Sequence, residues 1–75
     1  MTIPMNDLPF GKRAKVLSLG SSGNMRRRLM DLGLVPGTDI VRVMESPAGD
    51  PSCYRVRGAM IALRSHDALE ILVDV

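Results

Sequence analysis

The run Met25 to Thr38, MRRRLMDLGLVPGT, constrains the fold more than any other, because it specifies a helix, its stop signal and a tight turn without a break. Met25, Leu29 and Leu32 recur at i, i+4 and i+7, the spacing that lines one helical face, while Arg27 and Asp31 fall on the opposite face. One side of the helix is therefore expected to be core and the other solvent. Gly33 stands where a helix leaves through a left-handed residue: without Cβ it takes positive φ at little cost, and Leu34 can then fold back onto Leu29 in a Schellman motif. The helix is expected to end at Leu32. In Val35-Pro36-Gly37-Thr38, Pro36 pre-sets φ and Gly37 supplies the positive φ of a type II turn, after which Thr38 opens the next strand.

On either side of this run the chain reads as short strands. Met1 to Pro9, with two prolines, is an extended lead-in in which Leu8 and Phe10 are candidate anchors. Lys12 to Leu19 is a strand with imperfect alternation, and Gly20 to Asn24 is turn chemistry whose serines can cap the helix. Asp39 to Glu45, rich in β-branched residues, is a second strand, and Ser46 to Pro51 is a loop. Cys53 to Arg57 alternates Tyr54 and Val56 against Arg55 and Arg57, Gly58 turns the chain, and Met60 to Arg64 returns beside it. Ser65 can cap a single helical turn before the closing strand Glu70 to Val75. Four or five short strands with one helix inserted after the first, in 75 residues, predict a mostly β domain: a small, partly open, SH3-like barrel occupying the whole chain.

Size and composition then exclude several functions. A chain of 75 residues buries only about 60% of its unfolded surface and leaves little room for a deep catalytic cavity. Phe10 and Tyr54 are its two aromatic residues, too few for the stacking platform that single-strand nucleic-acid binding uses. A net charge of +2 permits a polyanionic partner without demanding one. Cys53 is the sole cysteine, so no internal disulfide forms, and the longest apolar run, Ala59 to Leu63, is far short of the roughly 18 residues of a membrane span. The N-terminus has no secretory pattern, and the cytoplasm is the expected compartment, without direct membrane insertion.

Few residue sets carry chemistry. Cys53 and His66 lack the paired ligand spacing of a tetrahedral site, so no metal or other cofactor is expected. Gly20 to Gly23 has neither the helix–helix context of a KH clamp nor the lysine of a P-loop. One histidine and no nucleophile–base–acid set argue against catalysis. Arg26-Arg27-Arg28 is the strongest signal. Cations near a helix N-terminus are unfavourable, and Asp31 lies on the weaker side of Arg27 for an i, i+4 pair, so the helix gains little from the triplet and an anionic partner surface is the functional reading.

The series RRRLMDLGLVPGTDI, followed by SPAGDP, YRVRGAMIALR and EILV, resembles the FeoA family of small ferrous-iron transport proteins from about Lys12 to Val73. The resemblance rests on Leu29, Leu32, Gly33, Leu34, Pro36 and Gly37 combined with Gly49, Asp50 and Pro51, all of which it assigns to structure. Such domains also occur fused to DtxR-type repressors, whose DNA-binding half is not found here. The resemblance implies an SH3-like accessory domain that acts on the cytoplasmic side of FeoB, a membrane ferrous-iron transporter carrying a GTPase domain. Two positions depart from the family pattern: Ala48 replaces a larger aliphatic, and Ser52-Cys53 stands where an aliphatic usually begins a strand.

The leading reading is a non-enzymatic adaptor in which Arg26, Arg27, Arg28 and Met30 contact the transporter. Two alternatives stand beside it. One is a GTPase-activating factor that inserts one of the three arginines, and the other, weaker, is a nucleic-acid-binding module using Arg55, Arg57 and Arg64.

Overall fold

Side-chain parity decides which face of each strand meets the core, and one break in parity shapes the sheet. The computed structural model describes residues 1–75. Its strands are β1 (Thr2–Pro4), β2 (Arg13–Leu19), β3 (Asp39–Glu45), β4 (Ser52–Val56), β5 (Ala59–Leu63) and β6 (Ile71–Asp74). Helix α1 spans Gly23–Asp31, the single turn α2 spans Ser65–Ala68, and a 3₁₀ turn covers Met5–Asp7. The strands form one antiparallel sheet in the order β1-β6-β2-β3-β4-β5. β1 and β5 end that order unpaired with each other, which leaves the barrel partly open.

In β2, Ala14 and Val16 point inward, but the register with β6 shifts between Val16 and Ser18. This bulge inserts one residue, leaves Leu17 43% exposed and returns Leu19 to the interior. The imperfect alternation of the sequence is the signature of that bulge. A second shift, between Arg42 and Met44 on β3, keeps Ile40 and Arg42 inside and turns Met44 out.

The extended lead-in is more than extended. Thr2–Pro4 pairs with β6, and the following 3₁₀ turn drives Met5 into the core, where it and Leu8 are fully buried. The sheet thus has six strands, and the helix follows the second rather than the first. Phe10, expected as an anchor, is half exposed and is held by the Arg42 guanidinium 4.3 Å above its ring. The hairpin strands begin one residue earlier than the sequence suggests, because Arg57 and Gly58, at φ +52° and +81°, form a two-residue turn of type I′ character. Leu29, Leu34, Ile40, Tyr54, Val56, Ile71 and Val73 form the centre of the core. Each such aliphatic side chain contributes on the order of 1.5–3 kcal/mol by leaving water.

Candidate functional site

The residues around α1 are placed by backbone devices at both of its ends. Ser22 occupies the N-cap in extended conformation, and its carbonyl accepts from the Arg26 amide at 3.4 Å, but its side chain makes no capping bond. The expected serine cap is therefore positional only. Arg26 reaches back instead, its Nη1 donating to the Leu19 carbonyl at 3.0 Å and tying the helix to the end of β2. At the far end the Leu34 amide donates to the Leu29 carbonyl at 3.0 Å and the Gly33 amide to that of Met30 at 2.9 Å, the pair of bonds that defines a Schellman motif. Gly33 has φ +102°, and a Cβ there would lie 3.3 Å from both Arg57 Cδ and Val56 Cγ1, so the helix exit is pressed against the β4–β5 hairpin. Gly37 at φ +92° and the Thr38-to-Val35 bond of 3.1 Å complete the turn begun by Pro36.

Leu32 departs from expectation. It sits at the C-cap, 40% exposed, whereas Leu34, just beyond the Schellman turn, is fully buried in the core with Leu29. Met25 is half-buried at the edge of the core.

The three arginines do not form one patch. Consecutive helical positions turn by about 100°, so the triplet fans around the helix. Arg26 and Arg27 share a shallow depression with Gly23, Met30 and Asp31, in which Met30 is 38% exposed. Arg28 lies on the other flank, over a groove between α1 and the β5–α2 corner. That groove has apolar walls of Met25, Leu29, Leu32, Ala62 and Leu63 and a polar rim of Arg28, Arg64, His66 and Asp67. His66 Nε2 is 3.4 Å from Asp67 Oδ1. Arg27 and Arg28 form no ion pair and project freely into solvent, whereas Arg26 is partly committed to Leu19.

Gly49, Asp50 and Pro51 belong to the loop between β3 and β4. The Ser46 hydroxyl donates to the Asp50 carbonyl at 2.8 Å, the Gly49 amide to Ser46 at 2.8 Å and the Ser46 amide to Pro51 at 3.0 Å. Asp50 Oδ1 then accepts from the Ser65 amide at 2.8 Å and the Ser65 hydroxyl at 3.1 Å. Ser65 is thus the first residue of α2 rather than its cap, and a carboxylate from the β3–β4 loop does the work at its N-terminal end, where negative charge is favoured.

Sequence reasoning missed Arg42. Its side chain, 14% exposed, donates to the carbonyls of Asn6 and Leu8, each at 3.1 Å, and to Ser52 Oγ at 2.8 Å. The signal was parity: Arg42 shares the inward phase of Ile40 within an apolar strand. Ser52, 3% exposed, stands where an aliphatic was expected and supplies the hydroxyl that Arg42 needs. Tyr54, 1% exposed, donates to the Met5 carbonyl at 3.4 Å, and burial pushes its phenol above the usual 10.0 although Arg42 pulls the other way. No group of three or more His, Cys, Asp or Glu side chains comes together, and Cys53 is a free thiol on β4 while His66 lies on α2.

A six-stranded, partly open sheet with one exposed basic helix defines a small SH3-like domain. The family model described as FeoA domain matches residues 3–75. The chain is 31% identical over 71 residues to an Fe(2+) transport protein A/Fe(2+) transporter FeoB fusion protein of Porphyromonas gingivalis, covering 95% of this chain but only 8% of that protein. The FeoA protein of Chlorobium tepidum superposes with a TM-score of 0.91 at 36% identity, over 97% of this chain and 70% of that one. The FeoA of Stenotrophomonas maltophilia, described as a procaryotic SH3 domain protein and solved as a zinc complex, gives 0.82 at 32% identity over 99% and 89% of the two chains. The chain belongs to the FeoA family.

Proposed function

We propose that this chain is an accessory protein of ferrous-iron uptake that binds the cytoplasmic part of a FeoB-type transporter, with the outward side of α1 as its contact. The observation that carries this reading is the fusion relative, in which a segment similar to nearly all of this chain shares one polypeptide with a transporter named FeoB. Fusion of two domains favours their association by keeping each at high effective concentration for the other. Arg27 and Arg28 are free of ion pairs, and Met30 adds an adaptable apolar contact next to Arg27. No helix here is long and apolar enough to cross a membrane, so the transporter supplies the membrane-spanning part.

The test is calorimetric titration of the chain against solubilised FeoB-type transporter with GTP analogue, GDP or no nucleotide. Saturable binding in at least one state is expected, and Arg27→Glu should weaken it by about tenfold and flatten its salt dependence. Absence of heat in all three states refutes the adaptor role. Single-turnover GTP hydrolysis in the same mixtures separates adaptor from activator, since an inserted arginine accelerates hydrolysis by on the order of 10³-fold or more. An unchanged rate is the expected result.

A further inference from the structure

The two ends of the sheet are finished differently. At one end β1 is three residues long and contains Pro4, both common ways of blunting a sheet edge. At the other, β5 is five residues, Ala-Met-Ile-Ala-Leu, with no charge, no proline and no bulge in its pairing with β4. The two-residue turn makes Val56–Ala59 a hydrogen-bonded pair, so alternation directs the Ile61 and Leu63 backbone toward β4 and that of Met60 and Ala62 toward the open edge. Met60 is 47% exposed, Ala62 is exposed and Ile61 only half-buried. Around this apolar edge the hairpin Ser52 to Arg64 carries Arg55, Arg57 and Arg64 and no acidic residue. Arg55 and Arg57 are unpaired, and Arg64 reaches Asp50 only at 3.9 Å.

We propose that β5 is a docking edge for an extended acidic segment of a protein partner, which adds to the sheet as a further strand. The Met60 and Ala62 backbone groups supply its ladder bonds. Apolar side chains of the segment lie beside Ile61 on one face of the sheet and beside Met60 and Ala62 on the other, while acidic residues near its ends meet Arg57 and Arg64. Charge selects this occupant over a second copy of the chain. Antiparallel self-pairing about Ile61 pairs Met60 with Ala62 and sets Arg64 of each molecule opposite Gly58, one residue from Arg57 of the other, so like charges gather at both ends of the pairing, which is unfavourable. An RNA strand would find no exposed ring on the hairpin, since Tyr54 is buried. This surface is separate from the Arg27–Met30 face, and the inference stands independently of the transporter reading.

The experiment is an amide NMR titration of the full chain with a capped peptide of about seven residues, alternating Val and Thr between terminal Asp and Glu. The expected result is saturable shifts centred on Met60 and Ala62, with exchange at those amides slowed by about tenfold or more. A peptide with Lys at both ends should bind about tenfold more weakly. Ala62→Pro removes only an outward amide, so it should abolish binding while leaving the melting temperature close to wild type. Arg57→Gln/Arg64→Gln, which leaves the backbone untouched, should erase the preference for the acidic peptide. No shift at Met60 and Ala62 at millimolar peptide overturns the proposal, as does equal binding of the two peptides. So does concentration-dependent shifting of the same amides without peptide, the mark of self-pairing, or displacement of the peptide by an oligouridine.

Discussion

Single residues carry the strictest constraints, and Gly33 carries two at once. Its φ of +102° is strained for any β-branched residue, and its missing Cβ leaves room for Val56 and Arg57. Gly37 has a similar φ of +92° but nothing within 4 Å of its absent Cβ. Gly33→Val is expected to cost about 2–4 kcal/mol and Gly37→Ala about 1 kcal/mol. In a domain of this size each kcal/mol moves the thermal midpoint by roughly 4–8 °C, so parallel melts distinguish them. Equal losses would show that packing at Gly33 contributes nothing beyond backbone strain. Tyr54 makes a different prediction. Because its pKa is raised in the folded protein, the native state retains the phenol proton after the unfolded state has lost it; its contribution is intact below about pH 10 and is lost as pH rises through the folded value. Denaturant midpoints from pH 8 to 11 should fall more steeply for the native sequence than for Tyr54→Phe, which lacks the titrating group.

At the scale of elements, legibility followed the range of the interactions that create each one. α1, its Schellman exit and the Pro36–Gly37 turn were readable because the bonds that define them join residues a few positions apart, although the Gly37 amide also donates to the distant Val16 carbonyl at 2.7 Å. β3 was readable from its β-branched run. β1 was not, because Thr2-Ile3-Pro4 becomes a strand only through Thr2–Asp74, Ile3–Val73 and Pro4–Leu72, partners at the far end of the chain. The arginine triplet was visible as charge but not as geometry: only the folded context shows Arg26 bound to Leu19 and Arg28 separated from Arg27 by the curve of the helix. Arg42 was overlooked because an arginine in a strand reads as solvent-facing until its inward partners are known. It holds the lead-in through two carbonyls and the β4 start through Ser52. Arg42→Lys cannot reproduce the planar fork and should cost about 1–3 kcal/mol by leaving buried acceptors unpaired. Hydrogen exchange should then quicken more at Leu8 than at Ile71; uniform acceleration would show that Arg42 supports the whole sheet rather than this junction.

Over the whole molecule, the sheet order makes the lead-in a structural wall rather than an appendage. β1 covers β6, which in turn pairs with the bulged β2 that leads into α1. Met5 and Leu8 are both fully buried, so removing residues 1–8 strips two core side chains worth about 1.5–3 kcal/mol each, together with the β1–β6 ladder. It also exposes Tyr54 from the side on which it meets the Met5 carbonyl. Small domains hold a net stability near the lower end of 5–15 kcal/mol, so this loss is comparable to the whole margin. A chain beginning at Pro9 is therefore expected to show collapsed amide dispersion and no cooperative melt, and with it no binding through α1, although every residue of that helix is retained. A truncated chain that melts cooperatively near the full-length temperature would instead place the stability of the fold in the remaining β6–β2–β3–β4–β5 sheet. In that case β1 would be a cover over β6, and α1 would keep its position through Arg26 and the Gly33 contact with the hairpin.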